Sequence, residues 1–208
     1  RARLVRLTLS DTRSGKSPVT IYAMMLEEER QMASRNGMIP VSRDIEPERC
    51  DPAGFLDMAL FEYFIGNTDW SVQFGQNVKL IAHDMNAVPF PVPYDFDQCG
   101  LVNAPYARPA EELQLANVQV RRFRGYCIPD VHAFDSAISR LEKLRPEIDR
   151  MVSDAPVLQQ RSKDRMIRFL DGFHALMEDP QHRQRELGYP CDPRNPGVNL
   201  VIKGLREN

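Results

Sequence analysis

Hydrophobic positions change their spacing several times along the chain, and each change predicts a new element. From Arg3 to Leu9, Leu4, Leu7 and Leu9 are interleaved with basic and polar residues, which predicts a strand. Val19 to Met25 predicts a second strand, and the turn cluster from Ser10 to Pro18, with Gly15, makes the pair an antiparallel hairpin. Glu27 to Asn36 reads as a short charged helix stopped by Gly37 and followed by a loop at Pro40. A polar connector from Arg43 ends at Asp51-Pro52, a helix start with Asp as the cap and Pro in the first turn. From Gly54 to Ile65 the chain is apolar nearly all round, through Phe55, Leu56, Met58, Leu60, Phe61, Tyr63 and Phe64. A helix of that kind is buried, not amphipathic.

Beyond it, Val78 to His83 and Val88 to Val92 are short strands separated by a turn at Asp84 to Ala87. Gln98 to Arg108 is a loop bearing Gly and Pro, and Glu111 to Val120 fits neither period. The three- and four-residue spacing returns from Pro129 to Met177, carried first by Val131, Phe134, Ile138, Leu141 and Leu144, then by Met166, Leu170, Phe173 and Met177. These are packing helices, and His132 and His174 are expected on their surfaces, as His83 is at a strand end. Past Asp179 the chain reads as an irregular tail rich in Pro, Arg, Asn and Gly. The expected class is α+β, a mainly helical body with short β-hairpins. It divides into a hairpin segment (1–37), a helical body (38–178) and a tail (179–208).

Composition narrows the partners more than the fold. Hydrophobic residues at 42% and charged residues at 27% are ordinary for a globular protein. A net charge of −2 provides no attraction for nucleic acid or an anionic membrane surface. No apolar run approaches the ~20 residues of a membrane-spanning helix. The chain opens at Arg1 on a strand-like pattern without a Met, so further sequence is expected upstream, and cytoplasmic and exported settings are both compatible. Cys50, Cys99, Cys127 and Cys191 form no Cys-x-x-Cys pair and have no His at zinc spacing, which argues against a structural zinc site. Two disulfides and four thiols both fit.

The candidate chemistry lies between Gly66 and Gly100. Gly66-Asn67-Thr68-Asp69-Trp70 follows the buried helix, Gln76-Asn77 opens the next strand, and Tyr94-Asp95-Phe96-Asp97 closes the hairpin. Phosphoryl transfer needs such a set: a carboxylate to orient a hydroxyl, and an amide with a carboxylate to hold magnesium on the phosphates. The same residues also suit a plain turn in which Asn and Asp side chains cap backbone groups.

Gly-Asn-Thr-Asp-Trp, then an Asn, then Tyr-Asp-Phe-Asp resembles the catalytic core of atypical kinase-like proteins such as HipA, the CotH spore-coat kinases and the phosphoinositide kinases. More closely, residues 66–106 resemble a group of uncharacterised bacterial proteins carrying Gly-Asn-Thr-Asp-Trp-Ser and Tyr-Asp-Phe-Asp. The resemblance implies Asp69 as the catalytic-loop acid, Asn77 as a metal ligand and Asp95 in the place of the Asp-Phe-Gly aspartate, with Asp97 as a second ligand or anchor. It implies Mg2+ and ATP as cofactors and an unknown phospho-acceptor as partner. Met24, Met25, Leu26 and Glu27 would form a hinge lining the nucleotide base. Two departures stand out. About five residues separate acid and amide in kinases, whereas Asp69 and Asn77 are eight apart, with Ser71 to Gln76 inserted. The phosphate-binding lysine, its glutamate partner and the glycine-rich loop do not precede the hairpin, and Lys16 sits in a turn, so the small lobe is expected to be truncated or absent.

Two other readings compete: a pseudokinase-like binding or scaffold module without transfer activity, and a metal-dependent hydrolase using Asp69, Asp95 and Asp97, which would need a further His or carboxylate. The tight basic cluster Arg121-Arg122-Phe123-Arg124 is expected to be a solvated face, with anion binding as the alternative.

Overall fold

The computed structural model describes residues 1–109, 113–128 and 130–188. They form a helix-rich α+β fold with two small antiparallel sheets. The first sheet is the expected hairpin, in which β1 (Ala2–Leu9) pairs with β2 (Val19–Leu26). Its register sets Leu7 opposite Ile21 and Leu9 opposite Val19, so alternation along the strands gathers these apolar residues on one face. Among the described residues the hairpin packs against no other element, and Val19, Tyr22, Met24 and Met25 are each more than half exposed. At its base the Glu27 carboxylate accepts hydrogen bonds from the Arg35 guanidinium at 2.8 and 3.0 Å and from the terminal amine at 3.1 Å.

The charged helix is α1 (Glu29–Arg35), capped by the Glu28 carboxylate on the Gln31 N–H, with Met32 and Ala33 buried against Ile81. Pro40, expected in a loop, lies instead in β3 (Ile39–Val41). That strand is at the edge of the second sheet, where proline's missing N–H does not interrupt a central ladder. The long apolar run forms α2 (Pro52–Ile65), whose Asp51 cap accepts from the Gly54 N–H at 2.8 Å, as the sequence predicts. Phe55, Met58, Leu60, Tyr63 and Phe64 are buried around its circumference. β4 (Val78–Ala82) and β5 (Phe90–Pro93) complete the order β3-β4-β5, joined by a turn that Asp84 caps at 2.8 and 2.9 Å.

The C-terminal helices α3 (Asp135–Asp154) and α4 (Gln160–Glu178) pack on each other and on α2. His174 is not on their surface. It is buried between the rings of Phe64 and Phe173, and its Nδ1 meets the Glu142 carboxylate at 2.5 Å. The tail is not irregular at its start either. Asp179 caps and Pro180 opens α5 (Pro180–Leu187), where Leu187 is fully buried and Glu186 accepts from the Tyr63 hydroxyl at 3.1 Å. The rest of the tail (189–208), including Cys191, and part of the 111–120 stretch lie outside the described residues. Cys50 and Cys99 are free and buried while Cys127 is disulfide-bonded, so neither four thiols nor two disulfides describes the chain.

Candidate functional site

The site begins where α2 must stop. Gly66 takes a left-handed backbone (φ 67°), the Asn67 N–H reaches back to the Glu62 carbonyl at 2.8 Å, and the Gly66 N–H reaches Tyr63 at 3.1 Å. This is the glycine-terminated helix end that satisfies the last carbonyls. The carbonyls of Ile65 and Gly66 accept from the N–H groups of Leu101 and Gly100, each at 3.0 Å. A Cβ at Gly66 would come within 2.7 Å of the Phe169 ring, and one at Gly100 within 2.4 Å of the Val118 carbonyl oxygen. Both glycines therefore permit close approach, and it ties the segment after Tyr94 to Asp97 directly onto the end of α2.

From that anchor the loop presents Asp69. Asn67 Oδ1 accepts the Asp69 N–H at 3.0 Å, an Asx turn. The Asp69 carboxylate accepts from the Gln76 side-chain amide and, at 3.1 Å, from Asn77 Nδ2, which also donates to the Asp69 carbonyl at 2.7 Å. The eight-residue separation is absorbed by the insertion itself. Ser71 and Gln76 exchange backbone hydrogen bonds at 2.8 and 3.0 Å, and Gly75 closes the turn at positive φ. The insertion doubles back, burying Val72 in the core, exposing Phe74 at its tip and setting Asp69 beside Asn77.

Asn77 and Asp95 lie at the same end of the β4–β5 ladder. The Tyr94 N–H donates to the Asn77 carbonyl at 3.0 Å, one step beyond the Val78–Pro93 pair. Both residues adopt positive φ (52° and 59°), a conformation that costs non-glycine residues on the order of 1 kcal/mol or more. Asp95 is exposed and Asp97 half-buried. Burial raises the Asp69 carboxyl above its ordinary range, the charges of Asp97 and Asp95 push the same way, and Arg124 and the Asn77 hydrogen bond oppose them. The three acids thus share one electrostatic neighbourhood, although among the described residues no three His, Cys, Asp or Glu side chains converge as a ligand cluster.

The basic cluster does not form a solvated face. Arg121 donates to the carbonyls of Phe64 at 3.2 Å and Phe169 at 2.5 Å, and stacks 3.7 Å over the Phe169 ring. Arg124 donates to the Thr68 carbonyl inside the site loop, and burial lowers its guanidinium to about 10 while Asp69 opposes that shift. The intervening Phe123 is buried, so both arginines are drawn inward with it. An apolar residue in the middle of the cluster was the available signal.

Two buried polar residues stand behind the loop, Asn67 of the motif and Glu62, to which the sequence assigned no role. Glu62 is fully buried on α2, and neither carboxylate oxygen completes a hydrogen bond among the described residues. Burial lifts its carboxyl to about 8. Asn67 is equally buried and its Nδ2 is also without a partner. A glutamate inside a nearly unbroken apolar run was visible in the sequence.

The hinge residues are not brought to the acids. Met24, Met25 and Leu26 are exposed on β2, which touches neither β4 nor β5, and Glu27 is engaged by Arg35. His83 is exposed beside Phe90. Comparison with protein-family models, curated proteins and solved structures returned no match to this chain.

Proposed function

We propose that the chain is the catalytic lobe of an atypical kinase-like phosphotransferase, which moves the γ-phosphoryl group of magnesium-ATP to an acceptor hydroxyl. The observation that carries this reading is the hydrogen-bonded pair Asp69 and Asn77, held at the end of a buried helix with Asp95 at the same end of the neighbouring ladder. Phosphoryl transfer depends on positioning and charge stabilisation more than on covalent chemistry, so a rigid mount for a few oxygens supplies much of what is required. The acceptor oxygen bonds to the γ-phosphorus as the bond to the β,γ-bridging oxygen breaks, and Asp69 takes the hydroxyl proton. Its raised affinity for a proton suits that role.

The donor set fits magnesium, which prefers hard oxygen ligands. Asn77 Nδ2 is committed to Asp69, which leaves the amide oxygen as the atom for a metal, and the Asp95 carboxylate is exposed at the same ladder end. These two would hold the ion, with Asp97 beside them; when bound, it neutralises charge on the phosphates.

One observation favours a pseudokinase-like binding module instead: both Asp69 carboxylate oxygens already accept hydrogen bonds from within the loop. Nucleotide binding with and without magnesium, for the parent and for Asp95→Asn, tests the assignment. Magnesium is expected to tighten binding by about tenfold or more in the parent only, a difference of ~1.4 kcal/mol. Equal affinity in all four cases refutes it. Magnesium-dependent binding without turnover, unaltered by Asp69→Asn, selects the binding module; loss of about 10²–10⁴ in rate on that substitution selects the kinase.

A further inference from the structure

We propose that Glu62 is a positioning residue for Asp69, acting through the buried amide of Asn67. The role of Asp69 rests on the kinase-like reading above, whereas the coupling rests on geometry alone. Three of the polar side chains that are buried without partners, Glu62, Asn67 and Trp70, belong to the last turn of α2 and the loop it delivers. Buried polar groups are rarely left unsatisfied, because each then loses its hydration without a replacement partner. An acceptor and a donor left unpaired together under one loop mark a contact that the loop can make or release.

The Asn67 amide cannot turn freely. Its Oδ1 holds the Asp69 N–H at 3.0 Å, which commits Nδ2 to the opposite side, and its backbone N–H is tied to the Glu62 carbonyl at 2.8 Å, which keeps the amide beside the Glu62 carboxyl that it influences. Glu62, Asn67, Asp69 and Asn77 therefore form a sequence of neighbours running from the core to the candidate metal ligand. A residue serving only to fill α2 would be apolar, as its neighbours Tyr63, Phe64 and Ile65 largely are. A carboxyl there carries a large burial penalty when ionised, so its neutral form is the resident one at neutral pH.

The titratable groups facing Glu62 are Asp69 from the site loop and Cys99 from the segment after β5, and neither supplies positive charge. Ionisation is therefore opposed by burial and by Asp69, and favoured only by the Asn67 amide. It places a second negative charge behind Asp69 and pulls Nδ2 toward the helix, which loosens the Oδ1 contact that orients the Asp69 backbone.

The test reads hydrogen-exchange protection of the Asp69 amide in the full chain from about pH 6 to about pH 9, a range spanning the raised titration of Glu62. Parent protein, Glu62→Gln and Glu62→Leu are compared. Protection of the Asp69 amide relative to that of the core amide of Leu60, which follows global stability, is expected to fall about tenfold in the parent as pH rises, to stay flat in Glu62→Gln, and to be low throughout in Glu62→Leu. Identical pH profiles for the parent and Glu62→Gln overturn the proposal, and they decide the matter even if Glu62→Leu does not fold. Unchanged protection in a folded Glu62→Leu overturns it too. Magnesium-ATP affinity is measured in parallel. Coupling that follows the expected pattern in a protein that binds no nucleotide upholds the positioning role and rejects the kinase-like reading.

Discussion

A carboxyl buried without a partner binds its proton more tightly in the folded chain than in the unfolded one, and Glu62 therefore makes stability depend on pH. The unfolded side chain titrates near 4.5 and the folded one near 8. Below both values each state is protonated and stability is at its maximum from this group. Between them the folded state holds a proton that the unfolded state has released, so stability falls as pH rises, by at most about 1.4 kcal/mol per pH unit. Above both values the loss is complete. Asp69, raised in the same direction, adds to the trend. The thermal midpoint is accordingly expected to drop between about pH 5 and pH 8, and Glu62→Gln to flatten the curve; parallel curves would show that the carboxyl is solvated. Gly66 gives a second test at this scale. Gly66→Ala introduces both left-handed strain and a clash with Phe169, and should lower stability by about 1–3 kcal/mol in denaturant unfolding. The turn-forming character of Gly66, Asn67 and Asp69 was legible in the sequence because it is local. The burial of His174 was not, because its partner Glu142 comes from another helix 32 residues earlier.

At the scale of elements, α2 was the most legible part of the chain. An apolar circumference and an Asp-Pro start specify a buried helix without reference to any other element. Its contribution can be measured directly: Leu60→Ala or Phe64→Ala is expected to cost about 2–5 kcal/mol, since both are buried in the main hydrophobic core. The misread elements depend on partners. β3 is a strand because three residues pair with β4, and Pro40 within it carries no strand signal of its own. α5 begins with a good cap in Asp179 and Pro180, but its body is polar and Leu187 is its one buried residue, with Glu186 bonded to Tyr63 beside it. The two arginines at 121 and 124 follow the same rule. Their destinations are the backbone carbonyls of a helix end and a loop, which no spacing within their own segment reveals.

At the scale of the whole molecule, the described chain divides into a body that holds the candidate site and a hairpin that does not pack on it. The motif halves meet because the last turn of α2 and the segment after β5 share backbone hydrogen bonds, so the site should unfold with the body. β1 and β2 contribute nothing to that core, and isolated two-stranded hairpins are marginal in water. Energetic independence is the consequence. The single tryptophan, Trp70, is buried beside Phe55 within the site loop, and its fluorescence reports unfolding of the body alone. Polar replacements on the hairpin, Met24→Lys and Ile21→Thr, are expected to leave the Trp70 denaturation midpoint within about 0.5 kcal/mol of the parent, as surface changes do. Under the same conditions Leu60→Ala should shift it several-fold further. A hairpin substitution as costly as Leu60→Ala would mean that β1 and β2 fold against the body in solution, and the division would fail.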